Sequence, residues 1–350
     1  MRLMPLDRLA IRRCAAAAFA LALTIACLDA EAAEKAPLRG VGQFTVPDWF
    51  TNSFLDLKDD AAEAGAQGRA LLVYIGQDGC PYCAALFNAN FSQKPIVDYT
   101  RAHFDAIEIN MWGDRSVTDF DGEALTEKTF AAKHAVAFTP TLLFYDARGT
   151  LLLRIDGYYP PRRFSAALRY AAGEHAREEP FAAYLERVAP PRPTGALHDE
   201  PFFERPPYDL RARTPPRPVA VFFEQRDCDE CDALHADALA QPATRTEMAR
   251  FRVVQLDRWS ATPVTTPEGR ETTARAWADA LGVGYLPTAV FFDQGREVIR
   301  VEAMLKGFHL RSVMDYVASG AYRNQPSFQR FVQGRTDRLR ERGVAVDLGK

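Results

Sequence analysis

Two cysteine pairs, Cys80/Cys83 and Cys228/Cys231, are the residues of this 350-residue chain whose types and spacing could do chemistry. Two residues separate the sulfurs of each pair, so on the first turn of a helix the second thiol can reach the first. The first pair lies in Asp78-Gly79-Cys80-Pro81-Tyr82-Cys83, after the apolar run Ala70 to Ile75 and before Ala84-Ala85-Leu86-Phe87. A buried strand should turn into a helix there. The free N–H groups and dipole of a helix N-terminus favour an anion and lower the pKa of the first thiol. The chemistry implied is thiol–disulfide exchange: Cys80 as thiolate attacks a partner disulfide and Cys83 resolves the mixed disulfide. Pro81 and Tyr82 add no charge, whereas Asp227, Asp229 and Glu230 put negative charge beside Cys228. That charge should raise its thiol pKa and make the second pair the more reducing, able to pass electrons to the first. A folded but silent second pair is the alternative.

Other uses of these cysteines fit less well. Structural disulfides in exported chains close longer loops, and a four-residue loop staples almost nothing. Zinc would accept Cys228, Cys231 and His235, at spacings of 3 and 4 along a helix, but thiolates in an oxidising compartment would have to escape oxidation. A c-type haem needs His after the second cysteine, where Ala84 and Asp232 stand. No metal and no cofactor is expected. His103, His134, His175, His198 and His309 show no spacing that suggests a site, and Trp112 and Trp259 read as packing residues.

The elements that must position the dithiol follow from periodicity. Trp49 to Ala66, with Phe54, Leu57 and Ala61 at helical spacing, reads as a helix leading into the strand Ala70 to Ile75, which lacks polar alternation and should be buried on both faces. Pro81 to Asn90 is helical; Ser92 to Pro95 offers an N-cap and early proline for a helix through Arg101. Phe104 to Ile109 is a strand, Asn110 to Glu127 a polar loop, and Thr126 to His134 a helix. Leu142 to Phe144 and Leu151 to Leu153 form a hairpin around Gly149, closed by a helix from Arg162 to about Ala172.

The pattern then repeats. Trp112 and Trp259, Gly122 and Gly269, and Pro140 and Pro287 are each 147 residues apart (259 − 112), and Phe181 and Tyr184 fall on Phe328 and Phe331. Phe291 to Gly295 repeats Phe144 to Gly149 with one residue fewer. The chain is a tandem duplication: a first domain over 45–188, a proline-rich connector over 189–217, and a second domain over 218–350 with a C-terminal helix, whose Thr336 to Arg342 alternates charges as a solvated helix does. The connector reads as a semi-rigid spacer able to hold the domains apart, with Phe202, Phe203 and Tyr208 resting on a domain surface.

Composition is that of a globular chain, 47% hydrophobic and 25% charged, with net charge −3 and pI ≈ 6.1. No basic surface is available for phosphates, which excludes nucleic acid as a partner. Arg2, Arg8, Arg12 and Arg13, the apolar run Ala15 to Ala26, and Ala30-Glu31-Ala32 read as a signal peptide over 1–32. A periplasmic location follows. The apolar run is shorter than the about 20 residues a membrane span needs. A membrane enters only if Cys27 is a lipid anchor, at a site carrying Thr24 where Leu is usual.

Strand, Cys-x-x-Cys, helix, then Thr139-Pro140-Thr141 leading into a hairpin resembles the thioredoxin fold. Leu286-Pro287-Thr288 repeats it. The resemblance covers about 49–172 and 219–320. It implies an α/β class with two thioredoxin-like domains in tandem, each a mixed β-sheet flanked by helices in three layers. It further implies that Pro140 and Pro287 are cis and face the dithiols, and that Thr139 and Leu286 present backbone to a substrate strand; a trans proline opening an edge strand is the alternative. Gly79 to Cys83, Gly122 and Thr139 to Thr141 are similar to exported thioredoxins of the Sox sulfur-oxidation type (SoxW-like). Two departures matter. Gly79 stands where Trp is usual, and Tyr74 and Phe222 stand where thioredoxin keeps a buried Asp, so Asp78, Glu224 or water would have to move the proton. The resemblance implies an exported disulfide reductase of partner proteins, such as sulfur-carrier or cytochrome maturation proteins, with an upstream redox donor. An oxidase or isomerase, and a non-catalytic docking module or chaperone, are the alternatives.

Overall fold

Apolar strands alternating with helices build one unit twice. The structure is a computed structural model that describes residues 35–173, 175–188 and 196–350; the signal-peptide and anchor readings over 1–32 and at Cys27 lie outside the described residues. The first unit comprises β1 (Leu38–Arg39), α1 (Leu57–Ala66), β2 (Ala70–Gly76), α2 (Pro81–Ala85), α3 (Lys94–His103), β3 (Phe104–Asn110), β4 (Ser116–Thr118), β5 (Ala124–Thr126), α4 (Glu127–Lys133), β6 (Thr141–Tyr145), β7 (Leu151–Asp156), α5 (Pro161–Ala172), α6 (His175–Glu178) and α7 (Phe181–Val188). The second comprises β8 (Tyr208–Asp209), β9 (Val219–Glu224), α8 (Asp229–Ala236), α9 (Pro242–Met248), β10 (Arg252–Asp257), β11 (Pro263–Thr265), β12 (Glu271–Thr273), α10 (Ala274–Leu281), β13 (Thr288–Asp293), β14 (Arg296–Val301), α11 (Gly307–Ala318), α12 (Phe328–Glu341) and β15 (Val346–Asp347).

The sheets match strand for strand: β3-β2-β6-β7 and β10-β9-β13-β14. In each the first pair is parallel and the others antiparallel. Tyr74 pairs with Leu142 and Phe222 with Ala289, which makes Tyr74 and Phe222 counterparts. The central strands β2 and β9 are buried along almost their whole length because helices cover both faces.

The outer faces carry separate cores. Leu71, Val73 and Ile75 pack with Leu57 and Phe130 in the first unit, and Val221 and Phe223 with Trp277 in the second. The inner faces share one: Leu72, Tyr74 and Phe144 belong to the same buried cluster as Phe222, Phe291 and Phe308. Tyr159 and Tyr285 meet with ring centroids 4.5 Å apart, and Phe138 and Phe328 at 5.3 Å. The proline-rich segment therefore does not hold the repeats apart. Its residues 196–217 lie against the second unit: Phe203 is buried, Glu204 N–H donates to the Val253 carbonyl, and β8 pairs with β11.

Three elements differ from expectation. The helix predicted from Trp49 begins only at Leu57, because the Asp56 carboxylate caps it by accepting from Asp59 N–H at 3.2 Å. Trp49 and Phe50 still reach the core, but Phe54 is 101% exposed, so its helical spacing was accidental. The polar loop over 110–127 contains the hairpin β4–β5, and β11–β12 repeats it. The C-terminal helix is not merely solvated, since one face of α12 lies over the first dithiol. Finally, β1 pairs in parallel with β15, tying both ends of the described chain together.

Candidate active site

Cys80 occupies the N-cap of α2 in extended geometry (φ −70°, ψ 116°), and its Sγ accepts from Cys83 N–H at 3.0 Å. Proline at the next position suits the first helical residue, where no N–H partner exists. Cys80 and Cys83 are joined as a disulfide, with Cys80 4% exposed and Cys83 fully buried. Cys80 is the less buried of the two and is the one that lines the cleft. The Thr139–Pro140 peptide bond is cis, and the loop sets Thr139 against that sulfur. The Thr139 hydroxyl donates to Cys80 Sγ at 3.3 Å, and the Thr139 carbonyl oxygen lies 3.4 Å from it. On the other side the leader crosses the motif: Gly42 N–H donates to the Gly79 carbonyl at 2.9 Å. A Cβ on Gly42 would stand 2.1 Å from the Cys80 carbonyl oxygen, so only glycine passes there.

These residues line a cleft of about 570 Å³ that the second unit and both chain ends complete. Leu38 and Leu348 come from the β1–β15 clasp, His309 from α11, and Gln329 and Arg330 from α12. Trp112 Nε1–H donates to Gln77 Oε1 at 2.7 Å, with the Arg330 guanidinium 4.2 Å over its ring. Gln77 Nε2 donates to Thr139 Oγ1 at 2.9 Å and to Gln329 Oε1 at 3.0 Å, and Gln329 Nε2 donates to the Ala137 carbonyl at 2.8 Å. Tyr82 turns toward the second unit. Its hydroxyl accepts from Lys306 N–H at 2.8 Å and lies 3.1 Å from His309 Nδ1, and burial raises its pKa well above the ordinary phenol value. Burial, with a smaller contribution from Arg311, pushes His309 down to about 4. The imidazole is thus neutral near pH 7, and its Nδ1 accepts the one proton Tyr82 has to give.

The second pair repeats the frame with different chemistry. Cys228 caps α8, its Sγ accepts from Cys231 N–H at 3.1 Å, and the two form a disulfide with Cys228 3% exposed. Leu286–Pro287 is also cis. Trp259 Nε1–H donates to Gln225 Oε1 at 3.0 Å, as Trp112 does to Gln77, but Leu286 offers no hydroxyl. Asp229, Glu230 and Asp232 fill the first turn of α8. Glu230, the second residue of its helix as Tyr82 is of α2, reaches Arg163 across the interface at 3.6 Å. Arg163 and His309 are each the third residue of α5 and α11. The contacts are reciprocal: each motif is held by the corresponding position of the other repeat.

Of the carboxylates considered for proton transfer, Glu224 is fully buried and engaged, accepting from His235 Nε2 at 3.0 Å and from Gln255 Nε2 at 3.0 Å. The His235 ring stacks on His198 at 3.9 Å. Gly76 occupies the corresponding place in the first unit, and the Tyr74 hydroxyl fills the space its Cβ would need. Asp78 is exposed at the cleft. Among the described residues no cluster of three or more His, Cys, Asp or Glu is arranged to hold a metal ion. The sequence pointed to Cys80, Cys83, Thr139 and Pro140, which the fold gathers at one place, and to Cys228, Cys231, Leu286 and Pro287 at another. It passed over Gln77, His309 and Gln329, and took Trp112 for a packing residue alone. The matched Trp112/Trp259 pair and the Phe181/Phe328 correspondence were the signals that could have found the first site's roof.

A family model described as a thioredoxin-like domain matches residues 57–172 and again 211–318. No curated protein matches the chain. Among solved structures, a thioredoxin-fold protein from Helicobacter pylori is similar at 23% identity, over 40% of this chain and 87% of that one, with a TM-score of 0.33. A thioredoxin from Thermus thermophilus is similar at 23% identity, over 36% and 91%, with a TM-score of 0.29. The first two thioredoxin domains of Saccharomyces cerevisiae Eps1p are similar at 11% identity, over 73% and 93%, with a TM-score of 0.25.

Proposed function

Because this chain belongs to the thioredoxin-like domain family and is a thiol–disulfide oxidoreductase by its two Cys-x-x-Cys pairs, we propose that it is an exported disulfide reductase working through Cys80 and Cys83. The observation that carries this is Cys80 Sγ at a helix N-terminus, in hydrogen-bond contact with Thr139 on the wall of a cleft. Cys80 thiolate attacks one sulfur of a partner disulfide, forming a mixed disulfide and releasing the other partner sulfur as thiolate. Cys83 gives its proton to water, attacks Cys80 Sγ, and releases the second partner sulfur. Two electrons leave the protein dithiol, and an upstream dithiol donor restores it. Asp78, exposed at the mouth, and solvent are the groups left to carry protons.

Cys228/Cys231 is the second dithiol of the same enzyme. Its acidic first turn and the absence of a hydroxyl beside Cys228 support a lower potential than the first pair, and so electron flow from the second to the first. Export rests on the basic and apolar pattern of residues 1–32. The proposed partners are disulfides of exported proteins, including sulfur-carrier and cytochrome maturation proteins, by the resemblance of Gly79 to Cys83 and Thr139 to Thr141 to Sox-type thioredoxins. A second reading, disulfide introduction, draws on the Thr139 contact, since stabilising the Cys80 thiolate favours the reduced protein and raises the potential.

Insulin reduction with dithiothreitol as electron donor tests the main reading. Wild type should turn over and Cys80→Ser should fall by at least about a hundredfold, since the nucleophile is gone; equal rates would leave a docking module. Equilibration with glutathione then decides direction: a first pair more oxidising than the glutathione couple would replace reductase by oxidase.

A further inference from the structure

We propose that Gln329, carried by the second repeat, is a positioning residue for the first dithiol: it completes an amide–hydroxyl relay that aims the Thr139 proton at Cys80 Sγ and holds that sulfur as a thiolate. The inference rests on Cys80 being the attacking sulfur.

Proton counting fixes the direction of the relay. An indole N–H can only donate, so the Gln77 atom 2.7 Å from Trp112 Nε1 is its oxygen. The amide nitrogen of Gln77 therefore faces the other way, and its two protons go to Thr139 Oγ1 and Gln329 Oε1. Gln329 is fixed in turn, since its own amide nitrogen donates to the Ala137 carbonyl. Thr139 has one proton. With its oxygen already accepting from Gln77, that proton goes to the remaining neighbour, Cys80 Sγ at 3.3 Å. Together with Cys83 N–H at 3.0 Å, the sulfur then has two donors aimed at it, against one acceptor, the Thr139 carbonyl oxygen at 3.4 Å. A hydrogen bond to the charged form favours that form.

The second repeat serves as the internal comparison. Gln225 and Trp259 reproduce the indole–amide half of the relay. The hydroxyl is missing because Leu286 stands where Thr139 does, and the position 147 residues before Gln329 is Ala182, which lies against Gly284 without an amide to offer. The relay is thus specific to the first site and is closed only by docking of the second repeat on it. Thiolate stabilisation at Cys80 becomes a property of the assembled chain.

The test is the pH dependence of Cys80 alkylation by iodoacetamide in the full chain carrying Cys83→Ser, Cys228→Ser and Cys231→Ser, with the adduct located by mass spectrometry. The charged and titratable groups that share the cleft with Cys80 are Asp78, Tyr82, Tyr158, His309, Arg330, Asp337 and Arg340, and none is altered by the variants. Thr139→Val keeps the shape and removes the proton; it should lower the alkylation rate at pH 6 about tenfold, one unit in thiol pKa. Gln329→Leu should lower it about threefold, about half a unit. Thr139→Ser keeps the hydroxyl and should stay within about twofold of the parent. A Gln329→Leu profile identical to the parent overturns the proposal, and so does the reverse pattern in which Val matches the parent and Ser shifts, which would mark a packing role. Should Cys83 in a Cys80→Ser chain alkylate faster than Cys80, the assignment of the attacking sulfur fails instead, and turnover by Cys80→Ser would show it independently.

Discussion

At the scale of single residues, the chemistry of the first site depends on neighbours hundreds of positions away. Tyr82 lies within the dithiol motif, yet its hydroxyl bonds Lys306 and His309. His309 carries a pH dependence whose sign follows from its burial. Its folded pKa, about 4, lies below the ordinary His value of about 6.5. Between these values the unfolded chain binds a proton that the folded chain refuses, so stability should fall as pH drops from about 6.5 to about 4, by up to about 3 kcal/mol. His309→Gln should flatten that part of the urea-midpoint profile; an unchanged slope would place the proton elsewhere. The cysteines, Thr139 and Pro140 were legible because type and spacing announce them. His309 and Gln329 were not, because nothing in their local sequence records that α11 and α12 would close over another repeat.

At the scale of elements, the strands and most helices follow from apolar periodicity, and the duplication doubles the signal. The false extension of α1 back to Trp49 arose because Trp49 and Phe50 are core residues without being helical. Three-residue strands such as β4 and β5 are too short for alternation to register. The leader is the least expected element. It crosses the motif through Gly42, whose missing side chain is what lets it sit against Cys80. Gly42→Ala should push the strap off, lowering stability by about 1–3 kcal/mol in denaturant unfolding and speeding alkylation of reduced Cys80. A variant with unchanged stability and reactivity would mean that the strap does not shield the site.

At the scale of the whole molecule, the two repeats form one body around an inner core to which both sheets contribute. Tyr82 with His309 and Glu230 with Arg163 relate the repeats by a reciprocal exchange of contacts, one polar and neutral, the other an ion pair. The sequence showed two units but not their docking, because the surfaces that meet, Phe138, Tyr159, Tyr285 and Phe328, read equally well as each unit's own core. The first dithiol sits under this assembly and the second lacks its hydroxyl relay, which makes Cys80 the proposed point of contact with the partner. The most direct measurement is covalent trapping: the full chain with Cys83→Ser, offered a disulfide-bonded protein, should accumulate a mixed disulfide mapped by mass spectrometry to Cys80. No adduct at Cys80, or an adduct confined to Cys228 in the matching Cys231→Ser chain, would contradict it.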